Sequence, residues 1–463
     1  MVFISGVRRD RRTGCMPAAS ERSRSDPLRS VRSPPDRVAA SVKRCGAAAK
    51  HLPDRCNYCA NRSAGAKILP SGRGYCGDFV TFAVVILIRI PMKRNILVLS
   101  HTGGTGGGER VLLDAISTLA SCEKYNIYVA YPVDADSGFK KALETIDIAG
   151  SHSFRYRVAR NTTPLLLRNI GYGILFGLLP LVHYARKRKI ELVYINSSVN
   201  LIGVILANLL NVPYVWHIHE QSNDHFRWTP RWMVCFYKKW LFSHRCHSIF
   251  VSEMSRQMWL REISVNVFPR SSVVYPKYRS IEPSGNERPR EEFVFGFLGA
   301  LSPNKNVTAL IRVFSELSLP HSLLLIGGDG PLRDGLEKDC ADKSNIRFLG
   351  PVSDVSGFYK SIDVMVVPSF NESWGLVALE AMSAGIPVII TRNSGLTEIF
   401  EQGKHCLFFD PHDQTQLVNA MRRLQSEPEL RHKLAQNAVS LLVRKDINGR
   451  FEQMVLQIIN NAL

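Results

Sequence analysis

The sequence predicts an α/β protein of two doubly wound parallel-sheet domains facing a cleft. Three observations carry this expectation. From residue 93 onward, short apolar runs of strand length alternate with segments of helix length, the pattern of parallel strands covered by helices on both faces. A polar stretch, RSIEPSGNERPREE at 279–292, splits those runs into two series. Glycine-rich turns follow the leading strands of each series, and doubly wound sheets bind ligands at the carboxyl ends of their strands. A chain of 463 residues, 45% hydrophobic, suits two cores better than one.

In the first series, strands are expected at 95–101, 125–132, 191–196, 214–219, 248–252 and 272–276. In the second they are expected at 293–299, 322–328, 346–350, 363–368 and 387–391. The domains this implies are Rossmann-like and run over 92–280 and 281–445.

Residues 1–91 differ in kind. They carry 17 Lys+Arg against 6 Asp+Glu, are rich in Ser, Pro and Ala, and have no sustained periodicity. Such a segment is expected to be disordered. It reads as an extension ahead of a start at Met92, with a genuine basic tail as the alternative. Five of the ten cysteines lie in it, including Cys56 and Cys59 in a C-x-x-C, but no second ligand pair stands at zinc-site spacing. Cys122, Cys235, Cys246, Cys340 and Cys406 are scattered singly, as suits a reducing compartment. FVTFAVVILI, at 79–88, is too short to span a bilayer, which takes about 20 apolar residues. The net charge of +19 favours anionic partners. Much of it lies before residue 92, and no nucleic-acid motif accompanies it, so no nucleic-acid partner is expected.

Four stretches could carry chemistry. HTGGTGGGERVLL joins the first strand to a helix near Glu109, with five glycines among residues 103–108. It does not fit G-x-G-x-x-G, yet glycines admit close backbone approach and a helix N-terminus attracts anions. SPNKN (302–306) has an N-cap Ser302 and Pro303 at a first helical position. Lys305 then falls in the first turn, where the dipole disfavours a cation unless an anion joins it. IGGDGP (326–331) is a glycine turn on the next strand. In FNESWGLVALEAMSAGIPVI (370–389), Glu380 sits among Ala378, Leu379, Ala381 and Met382 on a helix expected over about 374–384. A carboxylate buried there must find donors, and sugar hydroxyls would serve. With Glu372 before the helix and the amides of Ser373 to Val377 between, the stretch describes a slot for a nucleotide sugar.

Glu372 and Glu380 form E-x7-E after a G-x-L-x-x-x-K motif (Gly299, Leu301, Lys305), a G-G-x-G-P turn (Gly328, Gly330) and an N-terminal GG-x-E loop. This set, in this order, resembles family 4 of the retaining glycosyltransferases over about residues 93–463. The resemblance implies the GT-B fold, with a last helix (446–463 in the domain division, helical over about 447–462) crossing back onto the N-terminal domain. It implies that Glu380 binds the ribose and Glu372 the transferred sugar. Lys305 would bind the diphosphate with amides at Ser373, Gly375, Leu376 and Val377. Gly106 and Gly107 would close over the phosphates. Gly299, Gly328 and Gly330 would shape the donor site, and His219 would stand near sugar and acceptor. Catalysis would rest on His219, Glu372 and Lys305. No cofactor or metal is implied, the nucleotide diphosphate sugar being a substrate. One departure stands out: Ala300 occupies the place where the family often carries a second diphosphate-binding Arg.

The carboxylate pair is not read as a hydrolase's acid and base, because a departing diphosphate needs charge stabilisation and not protonation. Asp134-Ala135-Asp136 lacks the context of a metal-binding D-x-D and reads as a surface loop. His217, on the face it shares with His219, reads as a packing residue. Two stretches, 165–189 and 227–245, mix apolar and basic residues as an interface with anionic lipid would; ordinary buried helices with basic rims fit them too. The expected partners are a nucleotide-sugar donor, a saccharide or lipid-linked acceptor and an anionic membrane surface. The expected location is the cytoplasm, at the inner membrane face. The alternatives are a nucleotide-sugar epimerase of similar architecture, or a non-catalytic basic nucleic-acid-binding protein.

Overall fold

Thirteen strands form two sheets among the described residues, and every pairing is parallel. The computed structural model describes residues 92–463 apart from 105, 156–172, 223–224, 226–230, 283–291 and 318. The first sheet contains β1 (Arg94–Leu99), β2 (Tyr125–Pro132), β3 (Gly150–Phe154), β4 (Leu192–Asn196), β5 (Tyr214–Ile218), β6 (Cys246–Phe250) and β7 (Ser271–Val273), ordered β3-β2-β1-β4-β5-β6-β7. The second contains β8 (Phe293–Leu298), β9 (Ser322–Gly327), β10 (Ile346–Gly350), β11 (Val364–Val367), β12 (Val388–Thr391) and β13 (Leu407–Phe409), ordered β10-β9-β8-β11-β12-β13. Strand order therefore reverses between β1 and β4 and between β8 and β11, and ligands bind in crevices at such switch points.

The helices are α1 (Gly107–Ala120), α2 (Ser137–Glu144), α3 (Leu179–Lys187), α4 (Leu201–Leu210), α5 (Val234–Leu241) and α6 (Glu253–Glu262) around the first sheet. Around the second are α7 (Val307–Leu317), α8 (Arg333–Asp339), α9 (Val355–Lys360), α10 (Leu376–Ser383), α11 (Gln414–Ser426) and α12 (Pro428–Lys445), followed by α13 (Ile447–Ala462).

Alternate residues of each central strand feed opposite cores. Leu97 and Leu99 face one cluster with Val193, Ile195 and Trp216, while Ile96 and Val98 face another with Tyr194 and Val215. In the second sheet Val364 and Val366 pack on one side, Met365 and Val367 on the other. Burial on both faces explains why these strands read as unbroken apolar runs. Two strands were not expected from sequence. β3, GSHSF, alternates between partial burial and exposure, and β13 has three residues. Both are edge strands with one neighbour, so neither needs a continuous apolar run.

The last helix crosses back, as expected. Asp446 ends α12 with a left-handed φ of 44° and caps α13 by accepting from Gly449 N at 3.1 Å. Phe451, Val455, Ile458 and Ile459 then enter the core beside β1 and α1. Tyr125 Oη donates to Asn460 Oδ1 at 2.6 Å, and Lys277 pairs with Glu452 at 2.6 Å. The connection that leads from β7 to β8 is tied to this helix: Asn448 accepts from Tyr278 N at 3.0 Å and donates to Tyr278 O at 3.1 Å. A third tie comes from Glu398, whose carboxylate accepts from the N–H groups of Glu253 (2.9 Å) and Met254 (2.7 Å) at the start of α6.

Some expectations lie outside the described residues: the basic segment 1–91 with its C-x-x-C, most of the polar linker, and parts of the two apolar-basic stretches. No helix among the described residues is long and apolar enough to cross a membrane. The helix expected to start at Ser302 is instead one 3₁₀ turn, Pro303–Lys305. Asn306, at φ 53°, breaks the backbone direction before α7, and Ser302 makes no side-chain cap.

Candidate active site

The carboxyl ends of the two sheets line a common cleft of about 540 Å³. From the first sheet come Gly106, Gly107 and Gly108 at the start of α1, and His219 after β5. From the second come Leu298, Gly299, Ala300 and Lys305 after β8, Gly328 and Asp329 after β9, and Pro351 and Val352 after β10. The loop after β11 adds Glu372 through Gly375, and α10 adds Leu376 and Val377.

The sequence-predicted residues thus mostly converge. Gly106, Gly107, His219, Gly299, Lys305, Gly328, Glu372, Ser373, Gly375, Leu376 and Val377 share the wall, whereas Gly330 and Glu380 do not reach it. The glycines serve different ends. A Cβ on Gly328 (φ +127°) would lie 1.9 Å from Gly299 O, and one on Gly330 (φ +158°) would lie 2.6 Å from Leu301 O. These two are required by crossing backbones. Gly299 faces no such obstruction, its nearest neighbour being 3.6 Å away.

Lys305 is set by stitching between two loops. Phe370 N donates to Asn304 O (2.8 Å), Asn304 Nδ2 to Asn371 O (3.0 Å), and Asn306 Nδ2 to Pro368 O (3.2 Å). These bonds hold Lys305 Nζ 2.7 Å from Glu372 Oε2, which also accepts from Ser369 Oγ at 3.1 Å. Gly375 precedes α10 in a left-handed conformation, φ +112°, which shortens the helix from the expected start at residue 374. No side chain caps α10, and its first intrahelical bonds are donated by Ala378 and Leu379 to Gly375 O. The N–H groups of Leu376 and Val377 therefore stand at an uncapped helix end on the cleft wall, an anion-attracting position.

Glu380 is buried within α10, 1% exposed. Its partners are protein groups, one by charge alone, Oε1 accepting no hydrogen bond, and one by hydrogen bond. Arg110 Nη2, reaching across from α1, lies 2.5 Å from Oε1, and Tyr359 Oη donates to Oε2 at 2.9 Å and to Val377 O at 3.1 Å. Sequence reasoning missed both partners. Arg110 had a signal, since a cation in the first turn of a helix runs against the dipole. Tyr359 had none, because its approach depends on how α9 packs beside α10.

On the opposite wall His219 Nε2 contacts Asn196 Oδ1 at 2.6 Å. A Cβ on Gly108 would stand 3.8 Å from the His219 ring, so the glycine loop and the imidazole are in close register. Burial lowers the His219 pKa, opposed by the carboxylates of Glu220 and Glu109. Burial would raise Glu220, but His219, His101 and hydrogen bonds from Ser197 and Ser198 together bring it down to about 2. His217 is buried with its Nδ1 2.6 Å from Tyr194 Oη, and burial holds its pKa well below the usual value. Asp136 of the D-x-D caps α2, accepting from Phe139 N at 2.8 Å.

Comparisons with known proteins agree with this architecture. Residues 105–276 match the profile of Glycosyltransferase Family 4, and 279–440 that of Glycosyl transferases group 1. The chain is 34% identical over 161 residues to a D-inositol 3-phosphate glycosyltransferase of Corynebacterium jeikeium, a match spanning 32% of this chain but only 38% of that relative. It is 28% identical over 293 residues to the UDP-Gal:alpha-D-GlcNAc-diphosphoundecaprenol alpha-1,3-galactosyltransferase of Escherichia coli, 58% of this chain and 75% of the relative. It is 23% identical over 346 residues to the alpha-monoglucosyldiacylglycerol synthase of Acholeplasma laidlawii, 68% and 83% respectively. The fold matches the Anabaena protein HepE solved with UDP-glucose, with a TM-score of 0.66, 20% identity, and coverage of 79% of this chain and 99% of that one. It also matches sucrose-phosphate synthase of Thermosynechococcus elongatus, with a TM-score of 0.62, 17% identity, and coverage of 80% and 100%.

Proposed function

Because the chain belongs to family 4 of the glycosyltransferases, we propose that it is a retaining enzyme that moves a hexose from a nucleoside diphosphate sugar to an acceptor hydroxyl. The observation that carries the reading is the cleft itself. Lys305, Glu372 and the uncapped end of α10 form one wall, and Gly106–Gly108 with His219 form the other. Diphosphate oxygens would sit between Lys305 and the N–H groups of Leu376 and Val377, with the glycine loop over them. Glu372 would turn from Lys305 to hydroxyls of the sugar, and Glu380 would bind the ribose.

In the reaction, the bond between the anomeric carbon and the diphosphate oxygen breaks as the acceptor oxygen bonds to the same face of that carbon. The acceptor proton is taken up by the released diphosphate once that bond has broken, so the departure itself needs no acid. Fixed N–H groups and a cation aimed at the developing charge are the main source of acceleration in such a step. They supply it without a metal or other cofactor. His219, across from Glu372, would orient the sugar and acceptor.

The acceptor is proposed to be a lipid-linked saccharide or glycolipid, in cell-surface polysaccharide or glycolipid synthesis at the cytoplasmic membrane face. Two relatives act, by name, on a diphosphoundecaprenol and a diacylglycerol. The protein also exposes Trp232 (58%) and Phe236 (43%) beside the exposed Lys238 and Lys239 of α5, a mixture suited to an anionic interface. Co-sedimentation with anionic vesicles, lost in Trp232→Ser/Phe236→Ser, would support this surface; equal binding by the variant would remove it.

The donor reading is tested by thermal shift of the full chain with UDP-, GDP-, ADP- and dTDP-sugars. One nucleotide family should stabilise the protein, and Lys305→Ala should abolish the effect. A folded protein that responds to none of them would count against the reading.

A further inference from the structure

We propose that Arg110 is a second diphosphate-binding cation, which the donor recruits by taking its place on Glu380. The inference rests on the donor reading above and deepens it. Val377, one turn before Glu380, is on the cleft wall, yet Glu380 is not. Its Oε1 is ion-paired with Arg110 but accepts no hydrogen bond, while Tyr359 holds Oε2. A guanidinium presents N–H donors to a carboxylate much as a vicinal diol presents O–H donors, so Arg110 and a ribose compete for one acceptor. Tyr359 also donates to Val377 O, which fixes the carboxylate while its other oxygen changes partner.

The displaced guanidinium has an anion at hand. Arg110 follows Gly107 by three residues on α1, about 4.5 Å along the helix axis, and Gly106–Gly108 line the cleft. Lys305 is the one Lys or Arg among the described residues of the cleft wall, and Ala300 offers no charge there. A diphosphate brings at least two negative charges. The exchange replaces one ion pair by two contacts: Glu380 with neutral hydroxyls, and Arg110 with phosphate oxygens. α1 thus delivers the glycine loop and a cation together from the opposite domain.

The test is calorimetric titration of the full chain, wild type, Arg110→Met and Arg110→Lys, with UDP, GDP, ADP and dTDP and with the corresponding nucleosides. For the diphosphate that wild type binds, Arg110→Met should weaken affinity about tenfold or more, the worth of a charge-assisted contact. The same variant should bind the matching nucleoside more tightly, because its competitor is gone. Arg110→Lys should recover most of the diphosphate affinity. Opposite shifts for the two ligands cannot come from damaged folding. Shifts of the same sign, or none, would overturn the exchange while leaving the donor site intact. Failure of folded wild type to bind any of the diphosphates would overturn the donor reading and this inference with it.

Discussion

Single residues in this protein are constrained either by backbone crossings or by charge, and the two give different expectations on mutation. Gly328→Ala places a Cβ 1.9 Å from Gly299 O at a φ of +127°. It should cost about 2–4 kcal/mol, the range of strained backbone and overpacking combined, read as a lowered denaturation midpoint. Lys305→Ala removes a half-exposed cation and should barely move stability, but lower kcat about 10²–10³-fold, as loss of one transition-state donor does. Buried imidazoles set the acid response. Burial lowers the His225 pKa to about 4, against a usual 6.5, with Glu220 opposing. The unfolded chain therefore takes up the proton first, and stability is full above pH 6.5 and falls towards pH 4. The slope should approach about 1.4 kcal/mol per pH unit for this group. His217 acts in the same direction. His225→Asn should flatten the curve over that window. Glu220, held near 2, acts lower: its contribution is present above pH 4.5 and lost towards pH 2.

At the scale of elements, helix ends make several of the contacts between the two sheet domains. Glu398 supplies the N-terminal N–H groups of α6 with a carboxylate and also accepts from Tyr275 Oη at 3.0 Å. Tyr275 in turn stacks on Trp374 of the cleft wall, ring centroids 4.3 Å apart. Glu398→Ala should cost about 2 kcal/mol, since hydrogen bonds to charged groups are worth about 1.5–3 kcal/mol. The measurement is urea unfolding, and an unchanged midpoint would show the tie to be incidental. α10 illustrates the other use of a helix end. Its glycine start keeps two N–H groups at the cleft, while its middle carries Glu380 to Arg110.

For the whole molecule, α13 ties the end of the second domain to the first. Phe451, Val455, Ile458 and Ile459 are buried in the core of the first sheet, and each contributes about 2 kcal/mol. Their sum is comparable with the total stability of a domain, about 5–15 kcal/mol. Truncation after Lys445 should therefore unfold or aggregate the first domain, visible as lost far-ultraviolet ellipticity or insolubility. A soluble, cooperatively melting truncation would show that the crossing helix only decorates it.

The sequence by itself determined the two parallel sheets and most of the cleft wall, and the family resemblance implied the crossing helix. Central strands buried on both faces must be continuously apolar, and turns that bring backbone to a ligand or to another strand must be glycine, so both are written in residue type. The edge strands β3 and β13 were not, because one-sided pairing asks little of composition. Nor was the start of α10, which a single positive φ at Gly375 decides. The buried acid of α10 was legible, but its partner was not. Glu380 announced that a buried charge needed an answer. Only the packing of α1 against α10 decided that Arg110, 270 residues earlier in the chain, supplies it. Burial is a property a residue carries in its chemistry, whereas pairing across domains belongs to the distance between elements that the chain itself leaves far apart.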